Sequence, residues 1–420
     1  MIRMLRRYEP RRWLFAVLLF VTAPVFAASA DDARDARGMH GMVSSAHPEA
    51  SKVGVEIMKA GGNAIDAAVA VGFSLCVLEP NANGIGGRGF MLIWLAESGR
   101  TAYIDFRGKA PTGATADMFA LDEVGEVKPN ADGFDPAVVG GRSIAVPGEV
   151  SGLLLAQEIF GSMSRRQVMQ PAIEQAEQGV PVSAVMAGMI ADNYDVLLNY
   201  PATASIYLTD DFPKMEGEKI VNTDLAKTLR LVAEKGREGF YRGPVAQSIV
   251  DAVQADGGTM TMDDLAGYLV SYRKPVTGNY RGYDIISAPP PSSGGTHVIE
   301  LLNIMEGFDL VKMGLGTPES LHAWAEAMKL VYADRAQFMG DSDFIDVPVT
   351  ELASKDYARK QFERINLERA MEEYAAGNPR SSESGSTTHY SVVDAAGNMV
   401  ACTKTINHFF GSGITCLLYT

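Results

Sequence analysis

The segment from Thr387 to Asn407 constrains the fold of this chain more than any other. Polar and apolar residues alternate from Thr387 to Asp394, which predicts a half-buried strand. Ala395-Ala396-Gly397-Asn398 has the composition of a turn, and Met399 to Ile406 follows as a second predicted strand. The pattern therefore predicts a β-hairpin.

A flexible, hydroxyl-rich run from Ser381 to Ser386 precedes this hairpin, and Thr387 stands at the junction. If the bond before Thr387 is cut, its freed α-amino group becomes the adjacent base that a threonine nucleophile needs. The alternative is a β-hairpin with a polar leader and no chemistry. The pattern alone leaves both interpretations open.

The chain has the composition of a folded globular protein, with 420 residues, 47% of them hydrophobic and 21% charged. The formal net charge is −14, and an acidic surface argues against nucleic acid as a partner. Its three cysteines, Cys76, Cys402 and Cys416, form no disulfide framework and have no metal spacing. Cys76 is predicted to be a small core residue of an apolar helix.

Residues 1–30 have the pattern of a signal peptide. Five arginines lie within the first 12 residues, Trp13 to Val21 is apolar, and Ala28-Ser29-Ala30 is a small-residue cleavage site. Val25-Phe26-Ala27 is a second possible cleavage site, and a membrane anchor is the alternative to a signal peptide. We expect a periplasmic or secreted protein that has no membrane contact after signal removal.

Periodicity predicts more helices than strands before residue 387. The predicted helices cover His47 to Leu78 with a break at Gly61-Gly62-Asn63, then 149–160, 165–179, 222–235, 243–256, 297–306 and 317–338. Gly62 is predicted to end a helix and Asn63 to cap the next. Predicted strands cover Phe90 to Leu95, Ala102 to Phe106 and Tyr283 to Ser287.

Gly84-Ile85-Gly86-Gly87-Arg88-Gly89 matches the G-x-G-x-x-G pattern of dinucleotide sites. That fingerprint needs a strand before it and a helix after it, whereas the apolar run Phe90 to Leu95 follows this loop. We therefore interpret the loop as a close approach of backbones and expect no cofactor. The six histidines contain no His-x-x-x-His pair, so no metal site is predicted, and His389 is expected to be a hydrogen-bonded strand residue.

The string Thr387-Thr388-His389-Tyr390-Ser391-Val392-Val393-Asp394 resembles the processing site of the γ-glutamyltransferases (γ-glutamyltranspeptidases). These enzymes are N-terminal-nucleophile hydrolases. Thr403-Lys404-Thr405-Ile406-Asn407 and Asp105-Phe106-Arg107-Gly108-Lys109-Ala110-Pro111 resemble two further family motifs. The likeness runs from about Gly41 to Ile414, although Arg88 replaces a family glycine. It implies an α/β fold, the four-layer αββα sandwich, incomplete at the C-terminus.

The resemblance also implies a role for each site residue. Thr387 would attack the carbonyl of Ser386, splitting a large subunit (31–386) from a small one (387–420), and the two would form a heterodimer. The new amine would then serve as the base for γ-glutamyl transfer, with glutathione and γ-glutamyl compounds as donors and amino acids, peptides or water as acceptors. Thr405 would orient Thr387, while Arg107 and Asn407 would bind substrate.

The end of the chain departs from the family, whose small subunit continues well beyond Ile414. The 420-residue form is therefore expected to be inactive. Cys416 to Thr420 resembles a translated sequencing adaptor, which predicts that the natural frame continues; a frameshift in a decaying gene is the alternative. Other possible functions are a related amidase (a glutaryl-β-lactam acylase or poly-γ-glutamate depolymerase) and a non-catalytic exported remnant.

Overall fold

The computed structural model describes residues 36–372 and 386–416, with the backbone alone for Ser386. The chain divides into two units, Met1–Met39 and His40–Thr420, and every element below belongs to the second. The predicted signal peptide and the run from Ser381 to Gly385 lie outside the described residues.

Helices and strands alternate irregularly along the described part of the chain. The strands are β1 (Gly41–Ser44), β2 (Arg88–Leu95), β3 (Arg100–Phe106), β4 (Val180–Pro181), β5 (Leu208–Thr209), β6 (Phe212–Pro213), β7 (Lys219–Ile220), β8 (Ser271–Arg273), β9 (Val276–Tyr280), β10 (Tyr283–Ser287), β11 (Ser386–Asp394) and β12 (Met399–Asn407). The first helices are α1 (Pro48–Lys59), α2 (Ala64–Leu78), α3 (Glu149–Phe160), α4 (Arg165–Gln178), α5 (Ala184–Asp192), α6 (Tyr194–Asn199), α7 (Pro201–Tyr207) and α8 (Thr223–Lys235). The later helices are α9 (Glu238–Tyr241), α10 (Gly243–Ala255), α11 (Met262–Gly267), α12 (Ser293–Met305), α13 (Leu310–Met313), α14 (Pro318–Phe338), α15 (Val349–Leu352) and α16 (Lys355–Phe362).

One antiparallel sheet of six strands organises the structure, in the order β1-β11-β12-β2-β3-β8. The predicted hairpin is confirmed as β11 and β12, and it lies inside the sheet between β1 and β2. The pairing of Phe90 to Leu95 with Ala102 to Phe106 is confirmed as β2 and β3.

Helix α2 covers one face of this sheet. All 15 of its residues are buried, as expected for a helix that is apolar on every side. It packs on β11 and β12, α3 packs on β2 and β3, and α1 and α4 lie against α2. None of the described helices is both long and apolar enough to cross a membrane.

The break between α1 and α2 is built from the residues that the sequence predicts, with one correction. Gly61, with φ of +97°, is the left-handed residue after α1, so the stop lies one residue before the predicted Gly62. The Gly62 N–H bonds to the Ile57 carbonyl and the Gly61 N–H to the Met58 carbonyl, which is a Schellman motif. Asn63 caps α2 as predicted, in a capping box with Asp66.

The glycine loop joins helix α2 to strand β2, the reverse of the element order in a dinucleotide fingerprint. Its glycines allow two close approaches. A Cβ on Gly87 would lie 2.9 Å from the Thr405 carbonyl oxygen, and one on Gly89 would lie 2.3 Å from that of Thr403. The loop therefore lets β2 sit directly against β12, as the sequence predicts for a close approach of backbones.

Candidate active site

A row of three residues crosses neighbouring strands of the sheet. Thr387 on β11 pairs with Thr405 on β12, and Thr405 pairs with Arg88 on β2. Since residues paired across strands point to the same side, all three side chains lie on one face, which we call the open face. Thr387 is exposed on it, whereas Thr405 and Arg88 are half-buried.

The register of the hairpin shifts at the bond predicted to be cut. Ser386 is paired with Asn407, but the next residue, Thr387, is paired with Thr405, so Ile406 is the extra residue. Such bulges redirect side chains and are frequent beside active sites. The irregularity separates Ser386 from the regular ladder, which begins at Thr387, so the shift falls at the predicted processing bond.

A hydrogen bond from the backbone of Asn407 to the side chain of Thr405 joins these two residues. The Asn407 N–H donates to Thr405 Oγ1 at 2.8 Å, and Asn407 has a left-handed φ of +76°. Asparagine is among the few residues that adopt this conformation at low cost. The turn holds the backbone N–H of Asn407 beside the Thr405 hydroxyl.

Arg88 donates a hydrogen bond to Asn407 Oδ1. Burial lowers the pKa of the Arg88 guanidinium, and the positive charge of Arg107 lowers it further. The Arg88 stem also lies close to Gly108, where a Cβ would be 3.4 Å from Arg88 Cδ. The sequence marked Arg88 only as a departure from the family pattern, and its contact with Asn407 was not predicted.

Arg107, predicted to bind substrate, follows the end of β3. Its guanidinium carbon lies 5.8 Å from the centroid of the Phe90 ring, which is on the open face. The Arg107 N–H donates to Asp105 Oδ1 at 3.0 Å, and the Tyr268 hydroxyl donates to the Arg107 carbonyl at 2.8 Å. These bonds hold the backbone of Arg107 at the edge of the site.

A cavity of about 150 Å³ lies beside the row. Arg88, Thr405 and Asn407 line it, together with three glycines of the loop (Gly84, Gly86 and Gly87) and residues 143–147, 410–412 and 414–416. Thr387 and Arg107 lie outside this wall, although Gly108, the neighbour of Arg107, is part of it. The structure thus brings Thr405 and Asn407 together in the cavity and places the other two predicted residues at its margin.

The opposite face of the hairpin, which we call the helix face, contains a buried charge pair that sequence reasoning missed. Lys404 and Glu149 are both fully buried, and Lys404 Nζ donates to Glu149 Oε1 at 2.7 Å. It also bonds to the Gly72 carbonyl and lies 3.4 Å from Cys76 Sγ. The sequence carried one signal for this pair, because Lys404 occupies an inward-facing position of the predicted second strand.

Burial and charge act in opposite directions on this cluster. Burial lowers the pKa of Lys404, whereas the charge and hydrogen bond of Glu149 raise it; the net shift is upward, so the ammonium stays charged. Burial raises the pKa of the Cys76 thiol to about 12, so Cys76 is a neutral core residue. The predicted core position of Cys76 is confirmed.

Two further bonds anchor the hairpin to the helices. The buried Thr388 hydroxyl donates to Glu79 Oε2 at 2.8 Å, one residue after Thr387. At the other end of β11, Asp394 Oδ2 accepts from the N–H of Ala64, the first residue of α2, at 2.9 Å. An acceptor at a helix N-terminus satisfies an otherwise unpaired donor.

His389 is a hydrogen-bonded strand residue, as predicted. Its Nδ1 lies 2.8 Å from Thr403 Oγ1 and its Nε2 lies 3.2 Å from Ser391 Oγ, all on the open face. Burial lowers the pKa of the ring, so His389 is neutral at pH values above 6.5. Its contacts are to hydroxyl groups.

Known proteins resemble this chain over most of its length. The Gamma-glutamyltranspeptidase family model matches residues 50–417. The Glutathione hydrolase proenzyme of Escherichia coli K12 is 42% identical over 381 residues, which cover 90% of this chain and 64% of that protein. The chain thus spans less than two thirds of that relative's length.

Solved structures show the same likeness. Helicobacter pylori gamma-glutamyltranspeptidase matches with a TM-score of 0.78 and 41% identity, covering 84% of this chain and 99% of that one. Cephalosporin acylase from Bacillus halodurans matches with a TM-score of 0.77 and 30% identity, covering 93% of this chain and 70% of that one.

The sheet with its helix layer is the α/β architecture of N-terminal-nucleophile hydrolases, so the predicted fold class is confirmed. Within that class, the chain belongs to the γ-glutamyltranspeptidase family.

Proposed function

We propose that the full-length protein is a self-processing γ-glutamyltranspeptidase that acts on glutathione and other γ-glutamyl compounds. The pairing of Thr387 with Thr405 on one face of the sheet carries this proposal. Family membership supports it, since the E. coli relative is named a glutathione hydrolase proenzyme.

In the first proposed reaction, Thr387 Oγ1 attacks the Ser386 carbonyl. The hydroxyl proton passes to the amide nitrogen, the peptide bond breaks and an ester forms at Oγ1. Water hydrolyses the ester, leaving a carboxylate on Ser386 and a free amine and hydroxyl on Thr387. The products are the large (31–386) and small (387–420 onward) subunits of a heterodimer.

In the second proposed reaction, the free α-amine accepts the Thr387 hydroxyl proton while Oγ1 attacks the γ-glutamyl carbonyl. The proton passes to the departing amine, cysteinylglycine in the case of glutathione, and a γ-glutamyl ester remains on Thr387. Water, an amino acid or a peptide then accepts the acyl group. Holding amine and hydroxyl on one residue removes the entropic cost of bringing base and nucleophile together.

The other site residues are proposed to position these groups. The Thr405 hydroxyl, which accepts from the Asn407 N–H, would donate to Thr387 and orient it. Arg107 would bind the substrate carboxylate, because a planar guanidinium meets a carboxylate through two bonds. Asn407 would contact the same end of the substrate. The N-terminal pattern in residues 1–30 supports a periplasmic or secreted location.

The test compares the full-length protein with Thr387→Ala and with Thr388→Val as a matched control. Wild type is expected to give two fragments on a denaturing gel, the smaller beginning at Thr387 by N-terminal sequencing. Thr387→Ala should stay as one band and release no product from a γ-glutamyl anilide. Thr388→Val alters the neighbouring threonine on the helix face and should still cleave; cleavage by Thr387→Ala would overturn the proposal.

A second candidate is an amidase of the same class with another acyl donor. Arg88 favours it, since this guanidinium adds a positive charge where the family pattern has glycine. Comparing rates on γ-glutamyl and non-amino acyl donors separates the two candidates.

A further inference from the structure

A series of hydrogen bonds connects the candidate substrate residue Arg107 to the surface of the protein. Asp105 Oδ1 accepts from the Arg107 N–H at 3.0 Å, and Asp105 Oδ2 accepts from Arg273 Nε at 2.7 Å. Arg273 Nη1 and Nη2 donate to Asp343 Oδ1 and Oδ2 at 2.7 and 2.8 Å. The backbone of Arg107 is therefore connected, through one carboxylate and one guanidinium group, to the exposed residue Asp343.

Arg273 approaches Asp105 from the edge of the sheet. It is the last residue of β8, and the pairing of β8 with β3 places it opposite Tyr103. Residues two apart on a strand point to the same side, so Asp105 shares a face with Tyr103 and Arg273. This is the open face, because Asp105 is also paired with Phe90. Arg273 thus lies on the side of the sheet that carries the candidate nucleophile.

Asp105 is a buried carboxylate that depends on a cationic partner. It is only 5% exposed, and Arg273 is the cation that pairs with it among the described residues. The Arg273 side chain is 16% exposed, and both of its terminal nitrogens bond to Asp343. A two-bond arginine–carboxylate contact fixes the plane of the guanidinium group. Asp343 therefore orients Arg273 so that Nε faces Asp105.

The contact with Arg273 also decides whether Arg107 is available to a substrate. Arg107 is two residues beyond Asp105, about 7 Å along an extended backbone, which is within reach of an arginine side chain. Without Arg273, the buried Asp105 carboxylate would lack a partner and would attract the Arg107 guanidinium group. In the structure that group lies against the Phe90 ring and forms no ion pair with any described residue.

We propose that Arg273 is a positioning residue for the substrate carboxylate. It holds the backbone of Arg107 through Asp105, and it prevents the Asp105 carboxylate from pairing with the Arg107 guanidinium group. The inference rests on the proposed function, in which Arg107 binds the carboxylate of a γ-glutamyl donor. Self-cleavage uses no substrate carboxylate, so it should not depend on Arg273, whereas a purely structural residue would affect both reactions.

The first measurement is the kinetics of the full-length Arg273→Gln variant on γ-glutamyl-p-nitroanilide. KM should rise about 10-fold while kcat changes by less than about 2-fold, because the lost contact binds ground state and transition state alike. The rate of self-cleavage should equal that of wild type. Arg165→Gln is the matched control: this half-buried arginine donates from Nε to the Ala233 carbonyl at 3.0 Å, and its loss should leave KM unchanged.

Two double variants separate positioning from stability. Asp105→Asn combined with Arg273→Gln removes the unpaired charge and keeps an amide oxygen for the Arg107 N–H, so KM should return to within about 3-fold of wild type. Arg107→Gln alone should raise KM about 10-fold or more. Adding Arg273→Gln to it should raise KM no further, since both residues act through the same contact.

A KM for Arg273→Gln within about 2-fold of wild type would overturn the inference and leave the proposed function intact. An increase that multiplies with that of Arg107→Gln would do the same. Failure of wild type to self-cleave or to cleave the probe would instead overturn the proposed function. If Arg273→Gln does not fold, Asp343→Asn decides: KM should rise about 3-fold with normal self-cleavage, and an unchanged KM would contradict the role of Arg273.

Discussion

Both faces of the β11–β12 hairpin carry threonines, but the threonines have different roles on the two faces. On the helix face, Thr388 and Lys404 are buried and their polar atoms bond to Glu79 and Glu149. On the open face, Thr387 is exposed and aligned with Thr405. Two neighbouring threonines thus differ in role because a strand directs successive side chains to opposite sides.

This difference suggests how the hairpin combines rigidity with reactivity. Burial and pairing on the helix face fix the strand, and the open face carries the groups that can meet a substrate. Substitutions on the helix face should therefore reduce stability, and those on the open face should reduce rates. The following predictions test that division, from the largest expected effect to the smallest.

Lys404→Met should lower the free energy of unfolding by about 3–5 kcal/mol, because it leaves the buried Glu149 without its partner. Denaturant unfolding of the full-length protein measures the change. The double variant Lys404→Met with Glu149→Leu should recover much of the loss, since both charges are then absent. A stable single variant that has lost activity would show that the helix face takes part in the chemistry.

Thr405→Val should slow self-cleavage and turnover by about 100-fold, because the isosteric side chain no longer orients Thr387. The free energy of unfolding should change by only about 1 kcal/mol, the value of one hydrogen bond from the Asn407 N–H. Single-turnover cleavage on gels and denaturant unfolding measure the two quantities. A large loss of stability with normal cleavage would contradict the assignment of Thr405 to the open face.

Gly72→Ala should destabilise the fold by about 1–3 kcal/mol through overpacking. The added methyl group would lie 2.8 Å from the hydroxyl of Tyr390 on the helix face. Gly188→Ala in α5 is the matched control, since a Cβ there meets nothing within 4 Å, and it should stabilise the protein by about 0.5–1 kcal/mol. Melting temperatures shifted in the same direction by both variants would argue against tight packing at Tyr390.

His389 should give the smallest effect, through pH. The pKa of His389 in the folded chain lies below 6.5, the ordinary value for the unfolded chain. As the pH falls, the unfolded chain therefore binds the proton first. The contribution of His389 to stability is complete above pH 6.5 and decreases below it. His389 is only partly buried, so solvent screening keeps the effect small. NMR titration of the His389 ring should give a value below 6.5, and His389→Gln should show a shallower loss of stability on acidification.

The sequence predicted those parts of the fold that depend on local pattern. The hairpin, the strands β2 and β3, and helices such as α3 follow from periodicity, and the cap at Asn63 follows from its side chain. The edge strands β1 and β8 were not predicted, since four and three residues are too few to show a period. They exist because longer neighbours pair with them.

The site was predictable in its residue types and less so in its contacts. Thr405 and Asn407 were located through family motifs, and the structure brings them together. Lys404 and Glu149 are 255 residues apart, and Arg88 and Asn407 are 319 apart. No local pattern identifies such partners, because the pairing depends on how the sheet and α3 are assembled.

The bond from Thr388 to Glu79 has a consequence for any chain end created before Thr387. Protein termini usually fray, because the first residues have few tertiary contacts. A terminus at Thr387 would be fastened at its second residue and would continue into a strand that lies between β1 and β12. Its amino group would behave as a fixed functional group on the open face of the sheet and not as a loose end.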